Sequence, residues 1–171
     1  MTTGKLKETP RIRIIKGIPE GPIKVPVDPF QLEEIFSTLL ENAVEAIERQ
    51  INGQRGMSRE NSRVHHVNIL IKVEGDLCKI KVQDSGGGMD WEAYESLFVK
   101  REPYSPFKKG HGLLKVQQYI SEIPGASIKV EIQSARGTTF KIILPLADDG
   151  SESDHSTEEI LNSLEKRHWN I

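Results

Sequence analysis

Cysteine occurs once in the 171 residues, at Cys78, which excludes a disulfide framework and a cysteine-built zinc site. No uninterrupted apolar run approaches the roughly 18 residues that a membrane-spanning helix needs, and the first residues lack the apolar stretch of a signal peptide. An excess of basic charge is also missing. Lysine plus arginine number 23 against 25 aspartate plus glutamate, a formal net charge of −2, so bulk charge does not hold this chain to nucleic acid. Two familiar phosphate-binding patterns are absent as well: there is no G-x-x-x-x-G-K-[ST], and no G-x-G-x-x-G after a strand. His65 and His66 have no cysteine or paired carboxylate near them in sequence and read as surface or core residues rather than metal ligands. What is present, 36% hydrophobic and 28% charged residues, suits one core with polar loops and a tail. The expectation is a soluble, cytoplasmic domain without membrane contact.

The pattern along the chain divides it into residues 1–10, a polar lead-in; 11–146, the folded domain; 147–155, an acidic linker; and 156–171, a C-terminal amphipathic helix. Alternation at 11–15 predicts a short edge strand, and the Pro- and Gly-dotted stretch 17–26 a loop. Asp28-Pro29 is a strong helix start, an N-cap followed by proline at the first helical position, with Gln31 placed for a capping-box-like exchange. The helix runs to about residue 50, with Leu32, Ile35, Phe36, Leu39, Leu40, Ala43, Val44 and Ile47 forming its apolar stripe. Residues 52–63 read as a loop. Strands at 67–73 and 77–83 make a hairpin across Glu74-Gly75-Asp76. A short helix is expected at 91–98, an aperiodic segment at 99–112, and a helix at 113–123. A second hairpin joins 127–133 to 138–145. Ser156-Thr-Glu-Glu159 is a capping box opening the last helix, which carries Ile160, Leu161, Leu164, His168 and Trp169.

Three features carry chemistry. Asn42 lies on the flank of the first helix's apolar stripe, where its amide can reach a ligand and its oxygen is a suitable hard ligand for Mg²⁺ bound to phosphates. Val82-Gln83-Asp84-Ser85-Gly86-Gly87-Gly88-Met89 ends a strand in a carboxylate followed by glycines. Asp84 can accept a hydrogen bond from an exocyclic amine, and the glycines let backbone approach a ring or phosphate. Lys108-Lys109-Gly110-His111-Gly112-Leu113 precedes a helix, whose free N–H groups form an anion site. Taken singly, each has a plainer reading: a boundary asparagine, an Asx-capped turn, a solvated loop.

Their order is more telling. The series from Asn42 through the Asp84 turn, Leu97-Phe98, Gly110–Leu113 and Gly137-Thr138-Thr139-Phe140 resembles the ATP-binding domain of sensor histidine kinases. That domain sits within the wider superfamily of gyrase, the Hsp-type chaperone, histidine kinase and MutL ATPases. Residues 30–47 look like the family's N box, 82–89 its first glycine box, Leu97-Phe98 the start of its F box, and 110–113 and 137–140 its later glycine boxes. The resemblance covers roughly residues 11–146. It implies an α+β, two-layer sandwich of the Bergerat type: a mixed, mostly antiparallel sheet with helices on one face.

It also implies roles by position. Asn42 would hold Mg²⁺ against the phosphates and Asp84 would read the adenine amine. Gly86, Gly88 and Met89 would line the base pocket, with Thr138 supporting its Asp84 side; Thr138 also shares a strand face with Phe140 and Ile142, as a core-edge threonine would. Residues 99–112 would form a mobile ATP lid, with Lys108 or Lys109 near the phosphates and Gly110, His111, Gly112 and Leu113 contributing at the helix entrance. Asn42 and Lys109 would be the catalytic pair. Three departures accompany this. Leu114 stands where another glycine usually follows, Thr38 stands where the hydrolytic branches carry glutamate, and no segment resembles a phosphoacceptor histidine box. Glu41 is expected on the far helical face. The implied activity is a protein histidine kinase that uses ATP and Mg²⁺ and passes the γ-phosphate to a phosphoacceptor histidine domain, then a response regulator, on another chain or segment. The alternatives are a nucleotide-gated interaction module without transfer, and an anti-sigma-like Ser/Thr kinase.

Overall fold

The structure is a computed structural model that describes residues 12–53, 64–88, 111–133, 136–148 and 156–168. Five strands, β1 (Ile12–Gly17), β2 (His65–Glu74), β3 (Leu77–Asp84), β4 (Ser127–Gln133) and β5 (Gly137–Pro145), form one sheet in the order β1-β2-β3-β5-β4. Among the described strands only the β1–β2 pair is parallel. Three helices are described: α1 (Pro29–Gly53), α2 (His111–Ser121) and α3 (Thr157–His168). This is the mixed, mostly antiparallel α+β arrangement that the resemblance implied.

Period-two alternation decides which face of the sheet is dry. Ile69, Ile71, Cys78, Ile80, Val82, Phe140, Ile142 and Leu144 point to the helices and are buried. Burial pushes the Cys78 thiol up to about 11, so it is an inert core residue rather than a nucleophile. Against that layer α1 buries Leu32, Ile35, Phe36, Leu39, Leu40, Ala43, Ala46 and Ile47. Asp28 caps the helix, its Oδ1 accepting the N–H groups of Phe30 at 2.9 Å and Gln31 at 3.3 Å. Val44, assigned to the stripe by periodicity, is half-buried, and Ala46 is buried in its stead. The helix also runs through Gly53, past the expected end. The expected helix at 91–98 and most of the segment 99–112 fall outside the described residues.

The stretch 17–26 is less polar in effect than its composition suggests. Ile23, Val25 and Val27 alternate into the core, each worth about 1.5–3 kcal/mol on burial. The C-terminal part of the chain holds this stretch down. Ala147 N–H donates to the Lys24 carbonyl at 2.9 Å, and the Ile23 carbonyl accepts both the Thr157 N–H at 3.1 Å and the Thr157 hydroxyl at 2.9 Å. The capping box forms as the sequence specifies: Ser156 N–H donates to Glu159 Oε2 at 3.0 Å, and Glu159 N–H to Ser156 Oγ at 3.3 Å. Ile160, Leu161 and Leu164 of α3 join the core shared by α1 and the sheet. The apolar side of this helix therefore covers the molecule's own surface. Thr157→Val keeps the shape but removes one buried hydrogen bond, and should cost about 1 kcal/mol in urea unfolding while leaving the remaining core intact.

Candidate functional site

Helix α1 presents Thr38, Asn42, Ala46 and Gln50 at four-residue intervals, which places them in one row along its flank. Gly86, just beyond β3, settles on this row. A Cβ at Gly86 would lie 3.0 Å from the Ala46 carbonyl carbon, 3.1 Å from the Ala46 Cβ and 2.8 Å from Asp84 Oδ1. Gly87 sits beside Gln50, whose Cγ would be 3.9 Å from such a Cβ. At the other end Gly112, in the first turn of α2, meets Thr38, with an added Cβ only 3.0 Å from Thr38 Cγ2. The Gly112 and Gly86 contacts are thus about 12 Å apart along α1, at 1.5 Å per residue. Asn42 lies midway, half-buried, and its side chain makes no hydrogen bond with another described residue.

Asp84 is the last residue of β3 and pairs with Val67 of β2. Just past it, Ser85 N–H donates to the His66 carbonyl at 3.0 Å and His66 N–H to Ser85 Oγ at 2.9 Å, which fixes the strand end. The carboxylate is 4% exposed and its Oδ1 accepts the Gly86 N–H at 2.8 Å. Desolvation raises its pKa above the ordinary carboxylate value, opposed by main-chain N–H groups of Gly86 and Thr138 and by the charge of Arg49. From the neighbouring strand β5, Gly137 is at φ +100°, and a Cβ there would fall 1.9 Å from the Asp84 carbonyl oxygen. Gly88, at φ +76°, has the Gln133 carbonyl oxygen 2.9 Å from where its Cβ would be. Thr138 is buried beside Asp84, on the face shared by Phe140 and Ile142.

The described candidates therefore gather in two groups, with Asn42 between them. Asp84, Gly86, Gly88 and Thr138 form one end; Gly112 and Thr38 form the other. His111 opens α2, and Leu113 is a buried core residue whose side chain faces the hydrophobic interior. Met89, Lys108, Lys109, Gly110 and the Leu97-Phe98 pair lie outside the described residues. Two residues not foreseen join the base of the site. Gln50 Oε1 is buried without a hydrogen-bond partner, and such groups in native proteins call for an explanation. Arg49 supplies a positive influence on Asp84.

A cavity of about 200 Å³ separates α1 from α2 and is lined by Glu34, Ser37, Thr38, Glu41, Gly112, Lys115, Val116 and Tyr119. Glu34 binds α2 at two points, accepting from Lys115 Nζ at 3.0 Å and from the Tyr119 hydroxyl at 2.6 Å. The Lys115 and Tyr119 bonds hold the Glu34 carboxyl below its usual range, and Glu34 in turn raises both partners. Glu41, expected on the far face, instead lines this cavity, where its Oε1 accepts the Ser37 hydroxyl at 3.1 Å. The reason is helical phase: three residues after Thr38, it still shares that flank. Among the described residues no three His, Cys, Asp or Glu side chains gather to hold a metal.

Residues 27–148 match the family model described as histidine kinase-, DNA gyrase B- and HSP90-like ATPase. The protein named "Probable C4-dicarboxylate sensor kinase" of Halalkalibacterium halodurans is 32% identical over 128 residues, covering 74% of this chain and 21% of that protein. Sensor histidine kinase ZraS of Escherichia coli is 31% identical over 125 residues, 72% of this chain and 23% of that one. The chain thus spans between a fifth and a quarter of the length of these relatives. Among solved structures, the nucleotide-free catalytic domain of histidine kinase ThkA superposes with a TM-score of 0.58 at 20% identity, over 79% of this chain and 78% of that one.

Proposed function

Since the chain belongs to the family of histidine kinase-, DNA gyrase B- and HSP90-like ATPases, we propose that it binds Mg-ATP and donates the γ-phosphate to a histidine on another polypeptide or segment. The observation that carries this reading is the Asp84 carboxylate: buried, held in place by Gly86 and walled by Gly137-Thr138. Main-chain N–H groups of Gly86 and Thr138 already reach this carboxylate, but its two oxygens can accept more than these, and the exocyclic amine of adenine is a fitting donor for what remains. The missing side chains at Gly86 and Gly88 let the chain beyond β3 close on Ala46 and on the Gln133 carbonyl, which fixes the backbone beside Asp84. Met89 would line the same pocket, and Gln50 Oε1 offers a further acceptor. The α1 row and the N-terminus of α2, where His111 and Gly112 stand in the first turn with its free main-chain N–H groups, would hold the polyphosphate. Gly110, Lys108 and Lys109 would add donors and positive charge there.

Asn42 fits a magnesium ion held chiefly by phosphates: among the described residues no side chain engages its amide, and there is no competing cluster of metal ligands. Bound there, Mg²⁺ would neutralise phosphate charge. The chain's own part is positioning. Asn42 and Lys109 hold the phosphates, and the α1–α2 contact fixes where they end. Thr38, which turns its methyl toward Gly112, brings no carboxylate to activate water, while Glu41 lines the α1–α2 cavity with one oxygen bonded to Ser37. The γ-phosphate is kept for a protein acceptor rather than for hydrolysis. The acceptor is a phosphoacceptor histidine domain, with a response regulator downstream, in the cytoplasm.

Labelled ATP mixed with this chain and a phosphoacceptor helix tests the reading. Acid-labile label on the acceptor is expected. Binding of intact ATP without transfer to any acceptor would replace it with a nucleotide-gated interaction module, and acid-stable label would point to a Ser/Thr kinase. Asn42→Ala should abolish the Mg²⁺ dependence of ATP binding in titration calorimetry while leaving Mg²⁺-free affinity near that of the parent.

A further inference from the structure

The second face of the sheet carries none of the described helices, and its residues follow the same alternation as the core. Reading straight across it, Lys129 of β4 pairs with Lys141 of β5, Lys141 with Lys81 of β3, and Lys81 with Leu70 of β2. Three lysines therefore stand side by side on adjacent strands, an arrangement that costs stability unless something else uses it. In the row beside it Lys72 pairs with Lys79. Arg13 of β1 lies on the same face, next to His66. Against these six cations the face sets two carboxylates: Glu74, bonded to Lys79, and Glu131, bonded to Lys141 at 2.5 Å. The Glu131 carboxyl is lowered by its bond to Lys141 and further by the charges of Lys141, Lys81 and Lys129, which places all of them within electrostatic reach of one another.

The excess of four positive charges is hidden in the total of −2 because α1 is its opposite, with Glu33, Glu34, Glu41, Glu45 and Glu48 against Arg49 alone. The molecule is polarised: a basic sheet face backs onto an acidic helical layer. Five strands about 4.8 Å apart make the basic face about 24 Å wide. Its cations are lysines save one, point charges that need no fixed carboxylate geometry. Exposed Ile15 and Leu70 stand among them, 48% and 37% accessible.

We propose that this face rests on an anionic lipid surface, with α1 turned away from it. A flat, broad lattice of amines with aliphatic side chains between them suits a plane of phosphate headgroups, where basic residues add their attraction one by one. A bilayer contact of this kind needs no spanning helix, and none of the described helices is long and apolar enough to be one. The expectation of no membrane contact came from hydropathy and net charge, and neither reports how charge is divided between faces. The proposal is independent of the nucleotide reading.

Flotation of the full chain with vesicles of phosphatidylcholine, alone or mixed with phosphatidylglycerol, tests it. Binding only to the mixed vesicles is expected, lost at high salt and reduced at least tenfold in a Lys81→Gln, Lys129→Gln, Lys141→Gln variant. Glu48→Gln, on the acidic helix, should leave vesicle binding unchanged. Retained circular dichroism and thermal unfolding of the triple variant keep the result interpretable, and Lys72→Gln with Arg13→Gln provides a second variant should it fail to fold. Equal binding to both vesicle types, or undiminished binding by the variants, would overturn the proposal. So would capture of polyglutamate in place of vesicles, which would assign the face to an acidic polypeptide.

Discussion

Asp84→Asn is expected to weaken ATP binding about 100-fold in titration calorimetry, since a hydrogen bond to a charged group contributes about 1.5–3 kcal/mol and each 1.4 kcal/mol is a factor of ten. The loss should be equal for ATP and ADP, because the adenine amine is common to both, and should persist without Mg²⁺. Stability should move the other way. Burial raises the Asp84 carboxyl above its ordinary value, so the folded chain holds the proton more tightly than the unfolded one. The relative stability that this gives is greatest below the ordinary carboxylate range and is lost as pH rises through the folded-state value. At neutral pH the parent therefore bears the cost of a desolvated charge that the asparagine variant does not, while the amide oxygen can still accept the Gly86 N–H. The variant should melt at or above the parent's temperature near pH 7, and the two should converge in acid. A variant that binds ATP like the parent would remove Asp84 from the site.

The second large effect is mechanical. Gly137→Ala should destabilise the domain by at least about 4 kcal/mol, in the range reserved for gross steric faults, and lower the melting temperature by roughly 8–16 °C for a chain of this size. The added carbon would sit 1.9 Å from the Asp84 carbonyl oxygen, a main-chain atom that can retreat only by breaking the β3–β5 ladder. Its positive φ adds a further penalty. Gly125→Ala separates the two causes: φ there is +80°, but nothing lies within 4 Å of an added Cβ. It should cost only the conformational part, about 1–2 kcal/mol. Similar melting temperatures for the two variants would contradict the close contact between β5 and Asp84.

Local signals in the sequence reached some of these features and not others. Asp28-Pro29 announces α1 because cap and proline act within one turn, and Ser156 with Glu159 announces α3 for the same reason. The strand ending in Asp84 is legible from alternation and the glycines behind it. Ala46 is not, since its burial comes from Gly86 descending onto the helix, and small residues carry little periodic signal. The contact of Gly137 with Asp84 depends on β5 inserting between β3 and β4, an order no short-range pattern encodes. Glu34 reads as an ordinary surface charge until α2 brings Lys115 and Tyr119 to it. Ile23, Val25 and Val27 were masked by the prolines and glycines around them, although every second side chain is apolar.

Thr38, Ala46 and Gln50 belong to one unbroken α-helix, so the interval between what touches Gly86 and what touches Gly112 cannot stretch as a loop-to-loop distance would. Such a rod works as a caliper. For the Mg-ATP proposed above, a nucleotide shortened by one phosphate would still fit the jaw at Asp84 but stop short of the other.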